Sequence, residues 1–211
     1  MRKIYRTEAF DEFFESLPDN VKEKVRYLLF MITDVKVVNT KVVKKLVDTD
    51  FYELRISVGN EYRAILFTID HDDIVQAEQI LLLNGYIKKS TKAIGKRYKR
   101  HNIFWTRIMR KKIDIEKIQK LSTTEDMFQQ EYGPKGTARR EEFEAKARAW
   151  YYAEVLRDAR KAAGMTQQQL ADKIGKKREY VALLEKGETD MQLSTFLMIS
   201  DAVGLKFELT L

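Results

Sequence analysis

The 211-residue chain has no cysteine, which excludes a disulfide scaffold and any cysteine-based zinc site. Its two histidines, His71 and His101, are too few for a histidine-rich metal centre. No metal and no other cofactor is expected. Nowhere do about 18 apolar residues run together, so no membrane span is expected. The start, Met1-Arg2-Lys3-Ile4-Tyr5-Arg6, leads into Glu8, Asp11 and Glu12 without the apolar core of a signal peptide. A cytoplasmic location fits these absences. Acidic residues are missing from Gln79 to Ile113, while lysine and arginine crowd that stretch from Lys88 to Lys112. With a formal net charge of +7, such a run draws a polyanion.

What is present suggests two small domains, each able to bury a core of its own. Lys3 to Arg6 reads as a short strand. A helix follows over about Glu8–Leu17 and is broken by Pro18. A second helix spans about Asp19–Thr33, with Val21, Val25, Leu28, Leu29 and Ile32 on one face. Phe51–Val58 alternates like a strand with one buried face, carrying Tyr52, Leu54, Ile56 and Val58 on one side and Glu53, Arg55 and Ser57 on the other. Gly59-Asn60 marks a turn. Tyr62–Ile69 and Ile74–Leu83 read as two further strands around the polar turn Asp70–Asp73. The order β-α-α-β-β-β describes an α+β domain with an antiparallel sheet. From Arg139 onward the pattern is all-α.

In the helical half, Gly164 can end a long helix, and Thr166-Gln167-Gln168-Gln169 matches a capping box. Leu170, Ala171 and Ile174 give the new helix an apolar face. Gly175 supplies a sharp turn, Val181 and Leu184 anchor the next helix, and Glu185-Lys186-Gly187 closes it. This frame sets a recognition helix into the DNA major groove. The stretch LRDARKAAGMTQQQLADKIGKKREYVALLEKGE, followed by LSTFLMISDAVGL, resembles the lambdoid-repressor (XRE) helix-turn-helix family, HigA-like antitoxins included. The resemblance implies a phosphate contact from Gln167. It points Arg178, Glu179 and Leu183 at bases, with Lys177 beside them. Arginine can fork onto guanine, glutamate can accept from cytosine, and leucine can meet a thymine methyl. Lys176 and Ala182 depart from the usual apolar residue and serine of that family. The family reads paired half-sites as a dimer, so a homodimer on operator DNA is expected. Leu205–Leu211 alternates like a strand that could pair with its copy.

In the α+β half, Phe51-Tyr52-Glu53-Leu54-Arg55-Ile56, then Glu61-Tyr62-Arg63-Ala64-Ile65-Leu66-Phe67, then Leu83-Asn84-Gly85-Tyr86-Ile87-Lys88-Lys89 are similar to the RelE/HigB toxin superfamily. Tyr86 replaces its commoner phenylalanine. The resemblance implies cleavage of mRNA on the ribosome, where the RNA 2′-OH attacks its neighbouring phosphate without a metal. Arg55 and Arg63 would clamp the phosphate, Lys88 or Lys89 would add charge, and Tyr86 would stack on or position a base. The alternative for both arginines is pairing with Glu53 or Glu61 on a solvated strand. Strand parity supplies a check. A two-residue loop at Gly59-Asn60 would pair Arg55 with Ala64 and send the arginines to opposite faces. A shared site requires a bulge or an odd-length loop.

Residues 1–108 are therefore expected to form a toxin-like domain with a basic tail. Residues 109–138 would be a linker or a toxin-covering segment, with Ile115, Ile118, Leu121, Met127 and Phe128 as its apolar residues. Residues 139–211 would form the helix-turn-helix domain. Together they suggest a toxin–antitoxin fusion, a latent endoribonuclease neutralised within or between chains by an antitoxin that represses its own operon. The alternative is a DNA-binding regulator with a catalytically dead RelE-like module. Ala93–Ile108 has no helical periodicity, whereas the toxin family ends there in an amphipathic helix.

Overall fold

A computed structural model describes residues 2–34, 42–88, 114–187 and 189–206. The chain divides into two compact units, Met1–Glu141 and Glu142–Leu211. The expectations for Lys89, for Ala93–Ile108 with His101, and for the pairing end of the last strand from Phe207 fall outside the described residues.

The first unit opens with β1 (Lys3–Arg6), α1 (Glu8–Glu15) and α2 (Asp19–Asp34). Thr7 starts α1, its hydroxyl accepting from the Phe10 amide, and Pro18 separates the helices. Four strands follow: β2 (Val43–Lys45), β3 (Phe51–Val58), β4 (Asn60–Thr68) and β5 (Gln79–Ile87). The sheet order is β1-β5-β4-β3-β2. Its pairs are antiparallel except β1 with β5, which run parallel. The α+β class stands, and the sheet is mixed at one edge. The short strand β2, which periodicity missed, carries Lys44 and Lys45 on the other edge, where charge discourages further pairing.

The third long strand begins later than periodicity suggested. Ile74 to Ala77 form a turn in which the Gln76 and Ala77 amides donate to the Asp73 carbonyl. Asp70 then accepts from the Glu78 and Gln79 amides, each at 3.0 Å, and launches β5. Ile74 and Ala77 are buried, so an apolar turn imitates strand alternation. β3 is also more deeply covered than a one-faced strand, since both faces of Phe51–Leu54 are buried. On one side lie Phe10, Phe14, Val25, Leu28 and Leu29 of the helices, all buried. On the other, Tyr5, Phe51, Ile65, Phe67, Leu81 and Ile118 form a cluster. Gly85 has a local reason: a Cβ there would stand 2.0 Å from a ring carbon of Phe13.

Beyond residue 113 the first unit continues with α3 (Ile115–Ile118) and α4 (Thr124–Tyr132). α5 (Ala138–Ala162) spans the boundary between the units. The second unit is completed by α6 (Gln167–Lys173), α7 (Arg178–Lys186) and α8 (Leu193–Ala202). Its core is Leu156, Leu170, Ala171, Ile174, Val181, Leu184 and Ile199. Thr166 and Gln169 form a reciprocal capping box at α6, which satisfies amides that a helix start leaves bare. Gly187 ends α7 in the left-handed region. Among the described residues no helix is long and apolar enough to cross a membrane.

Candidate functional site

The parity question at the β3–β4 turn has a clear answer. Val58 pairs with Asn60 across Gly59, whose φ is +65°, so the connection is odd and not the two-residue loop suggested by Gly59-Asn60. Arg55 therefore stands opposite Arg63, and Arg63 stands opposite Tyr86 on β5. Three strands deliver three candidate residues to one row on one face of the sheet. A bulge between Ile65 and Leu66 shifts the β4–β5 register beyond that row.

A residue outside the expected site organises the row. One Glu53 oxygen accepts from Arg55 Nε at 3.1 Å and lies 3.3 Å from Arg63 Nε. The other accepts from the Tyr86 hydroxyl at 3.0 Å. Its neighbour Glu61 accepts from Arg63 Nη2 at 2.6 Å, and Arg63 Nη1 donates to the Tyr62 carbonyl at 2.7 Å. The arginines thus have the glutamate partners that sequence reading offered as the alternative to catalysis. For Arg63, however, the surroundings are not a solvated strand, because that side chain is only 6% exposed while the Arg55 side chain is 34% exposed. The terminal nitrogens of Arg55 take no part in its Glu53 contact, whereas those of Arg63 are engaged. The formal charges of Arg55, Arg63, Glu53 and Glu61 cancel. Arg63, through its hydrogen bond, chiefly holds the Glu61 carboxyl below its ordinary range; Ser57 and the charges of Arg63 and Lys88 add to that. Lys88 is half-buried and prolongs the strand by donating its amide to the Glu61 carbonyl. His71 is exposed in its turn, and its Nδ1 accepts from the Asp73 amide.

The strand spacing of Glu53 and Arg55 already placed them on one side of β3. Sequence reading named that carboxylate only as the pairing alternative to a site; two residues from an arginine on the same face, it is also within reach of anything brought alongside by β4 and β5.

In the second unit, Lys177, Arg178, Glu179 and Leu183 are all exposed around the first turns of α7. Arg178 Nε approaches Glu179 at 3.6 Å. The opposite side of α7 holds Val181 and Leu184 in the core. This division frees one helical face for a groove and anchors the other. Gln167 is differently occupied. Its amide donates to Glu185 at 2.9 Å, and Glu185 is paired with Arg160 Nη2 at 2.9 Å and with Arg160 Nε. Arg160 also donates to the Met165 carbonyl at 2.6 Å. This buried knot ties α5, α6 and α7 together, and the hydrogen bond to Glu185 raises the Arg160 pKa further. Lys176, at the usual apolar position, is exposed with its Nζ 5.8 Å from the Tyr180 ring centre. Among the described residues, no group of histidine, aspartate or glutamate side chains could hold a metal.

Residues 12–103 match the phage derived protein Gp49-like family, a RelE/HigB-type toxin family, and residues 156–209 match the helix-turn-helix family. No curated protein matches the chain.

Proposed function

We propose that this chain, which joins a Gp49-like toxin-family domain to an XRE-type helix-turn-helix domain, acts as a toxin–antitoxin fusion with two nucleic-acid activities. The first is metal-independent cleavage of mRNA bound to the ribosome. The second is repression of its own operon by the helix-turn-helix unit, working as a homodimer on paired half-sites.

The observation that carries the nuclease reading is the row Arg55–Arg63–Tyr86 gathered on Glu53. The arginines take different roles. Arg55 presents its terminal nitrogens to a phosphate, a geometry suited to a bidentate contact. Arg63, buried and with both terminal nitrogens hydrogen-bonded, positions Glu53 through their ion pair, and through it Arg55 and Tyr86. In the reaction the 2′-hydroxyl gives its proton to solvent and its oxygen bonds to phosphorus as the P–O5′ bond breaks. The leaving 5′-oxygen takes a proton from solvent, a 2′,3′-cyclic phosphate and a 5′-hydroxyl result, and negative charge grows on the phosphate oxygens on the way. A cation already held in place stabilises that charge without reorganising. Lys88, and Lys89 beyond the described residues, add attraction for the RNA backbone. The Tyr86 ring offers a stacking surface for a base.

The DNA reading rests on the exposed face of α7. Arg178, Glu179 and Leu183 would meet base edges and Lys177 a phosphate. The Gln167 amide contacts a phosphate only by sharing or leaving its bond to Glu185.

The test is RNA-end mapping in a reconstituted translation reaction supplied with the full chain at graded concentrations, beside the same RNA without ribosomes. New ends inside ribosome-bound codons that vanish in Arg55→Ala support the nuclease. Unchanged ends at every concentration, from the full chain and from its Ile118→Asp variant alike, together with a salt-sensitive footprint upstream of the gene, favour the regulator with a dead toxin module.

A further inference from the structure

We infer that the element silencing the sheet site is the segment Asp114–Tyr132, and that it acts as part of the N-terminal unit, so loss of the helix-turn-helix half does not release the site. The inference rests on the nuclease reading above and adds its regulation.

The segment is bound to the sheet in several ways. Ile118, 8% exposed, joins Tyr5, Phe51, Ile65, Phe67 and Leu81 on the face that carries Arg55, Arg63 and Glu53. Leu121 packs against that cluster, and so does Tyr86, the ring offered to a base. The chain next meets the free edge of β1. The Arg6 amide donates to the Ser122 carbonyl at 2.8 Å, Arg6 Nε donates to the Thr123 carbonyl at 3.1 Å, and Tyr5 bridges Thr123 in antiparallel sense. An open strand edge invites such pairing. α4 then lies on α2: the Phe30 and Phe128 rings stand 6.2 Å apart, and Arg26 pairs with Glu131 at 3.0 Å. All these contacts fall inside Met1–Glu141.

The exposed stretch of the chain comes after this cover. Pro134 to Arg139 are all exposed, the kind of segment a protease enters first. A cut there breaks the chain between Asp114–Tyr132 and the DNA-binding half, which is then held to the N-terminal unit only by non-covalent contacts such as Arg140 with Glu125 at 2.9 Å and 3.1 Å. An RNA strand laid over Arg55 and Tyr86 must share the sheet face with Ile118 and Leu121. Opening the site therefore means lifting α3, a helix of one turn, and not removing the antitoxin half.

The experiment uses the full chain in three forms, with mRNA ends mapped in a translation reaction and α3–α4 amide exchange measured in parallel. The first is unaltered. The second carries a site-specific protease sequence between Lys135 and Gly136, is cut after folding, and has its C-terminal part separated by chromatography at high salt, which weakens the Arg140–Glu125 pair. The third is Ile118→Asp, with Ile118→Ala as the milder variant should the charge unfold the unit. The expected result is little cleavage by the intact and the cut chains, and cleavage raised roughly tenfold or more by the Ile118 variants, with faster exchange in α3. Cleavage by the cut chain equal to that of the variants places the inhibition in the lost half and overturns the inference. So does full cleavage by the unaltered chain, or an α3 that stays protected in both variants. If α3 opens and no form cleaves RNA, the nuclease reading itself has failed, and the inference with it.

Discussion

Both units set arginine beside glutamate, and the two settings differ in what surrounds them. On the sheet, Arg63 is buried and shares Glu53 with Arg55, while Tyr86 holds the other carboxylate oxygen. On α7, Arg178 and Glu179 are exposed with a loose 3.6 Å contact. An interior network fixes side chains in advance, which suits stabilising charge that appears during a reaction. An exposed helical face leaves side chains able to adjust to base edges, which suits reading a sequence. The second unit does have a rigid knot, Arg160–Glu185–Gln167, but it is buried between helices and serves the frame.

The largest expected effect breaks that knot. Arg160→Ala strands the buried Glu185 carboxylate and costs the C-terminal unit about 3–5 kcal/mol. Denaturant unfolding should show its transition moving far down, with operator binding lost. A midpoint unchanged would mean that Glu185 finds another partner.

Next comes the division between the sheet arginines. Arg63→Ala should lower both the unfolding midpoint and RNA cleavage, because it leaves Glu53 and Glu61 short of a partner. Arg55→Ala should abolish the cleavage seen in the Ile118→Asp chain while costing less than about 1 kcal/mol of stability, as for a partly exposed pair. Equal stability losses would erase the contrast between positioning and contact.

Gly85→Ala should cost about 1–3 kcal/mol of stability through the clash with Phe13. Phe13→Ala in the same chain should recover part of it, and simple addition of the two losses would show that the glycine serves another purpose.

On α7 the effects are smaller and selective. Arg178→Ala should weaken operator binding by about 1–3 kcal/mol and relax preference at one base position, whereas Lys177→Ala should reduce the salt slope by about one. A competition assay across operator variants at two salt concentrations separates the two.

The smallest concerns the cap of α4. Hydrogen bonds from the Thr123 amide and hydroxyl hold the Asp126 carboxyl below its ordinary range. A carboxyl lowered by folding stabilises the native state above its unfolded pKa, and that support fades as pH falls through the folded value. Asp126→Asn should lower stability at neutral pH by about 1 kcal/mol or less, and the gap to the parent should close in acid. A gap that widens in acid would contradict the assignment.

Much of this architecture was legible in the sequence. Helical spacing from Val21 to Ile32 gave α2, Pro18 gave the break before it, and the Thr166–Gln169 box with Gly175 and Gly187 gave the helix-turn-helix frame. Each is a local signal, set by residues within a turn or two. What sequence reading missed depends on distant partners. β2 is three residues long, and the parallel placement of β1 beside β5 leaves no periodic trace. The odd turn at Gly59 decides which face Arg63 takes, and nothing in Val58-Gly59-Asn60 declares it. Glu53 acquires its role only when β4 and β5 bring Arg63 and Tyr86 alongside. The apolar residues Ile118, Leu121, Met127 and Phe128 were visible, but the surface they cover is drawn from residues scattered between Tyr5 and Leu81.

The most direct test of the central claim, a ribosome-dependent nuclease on the first unit, is transcriptome-wide mapping of RNA ends in cells expressing the full chain with Ile118→Asp, beside the same chain also carrying Arg55→Ala. The account predicts new ends within translated codons in the first and their disappearance in the second. Identical end profiles in the two, with both proteins folded and present at equal levels, would contradict it.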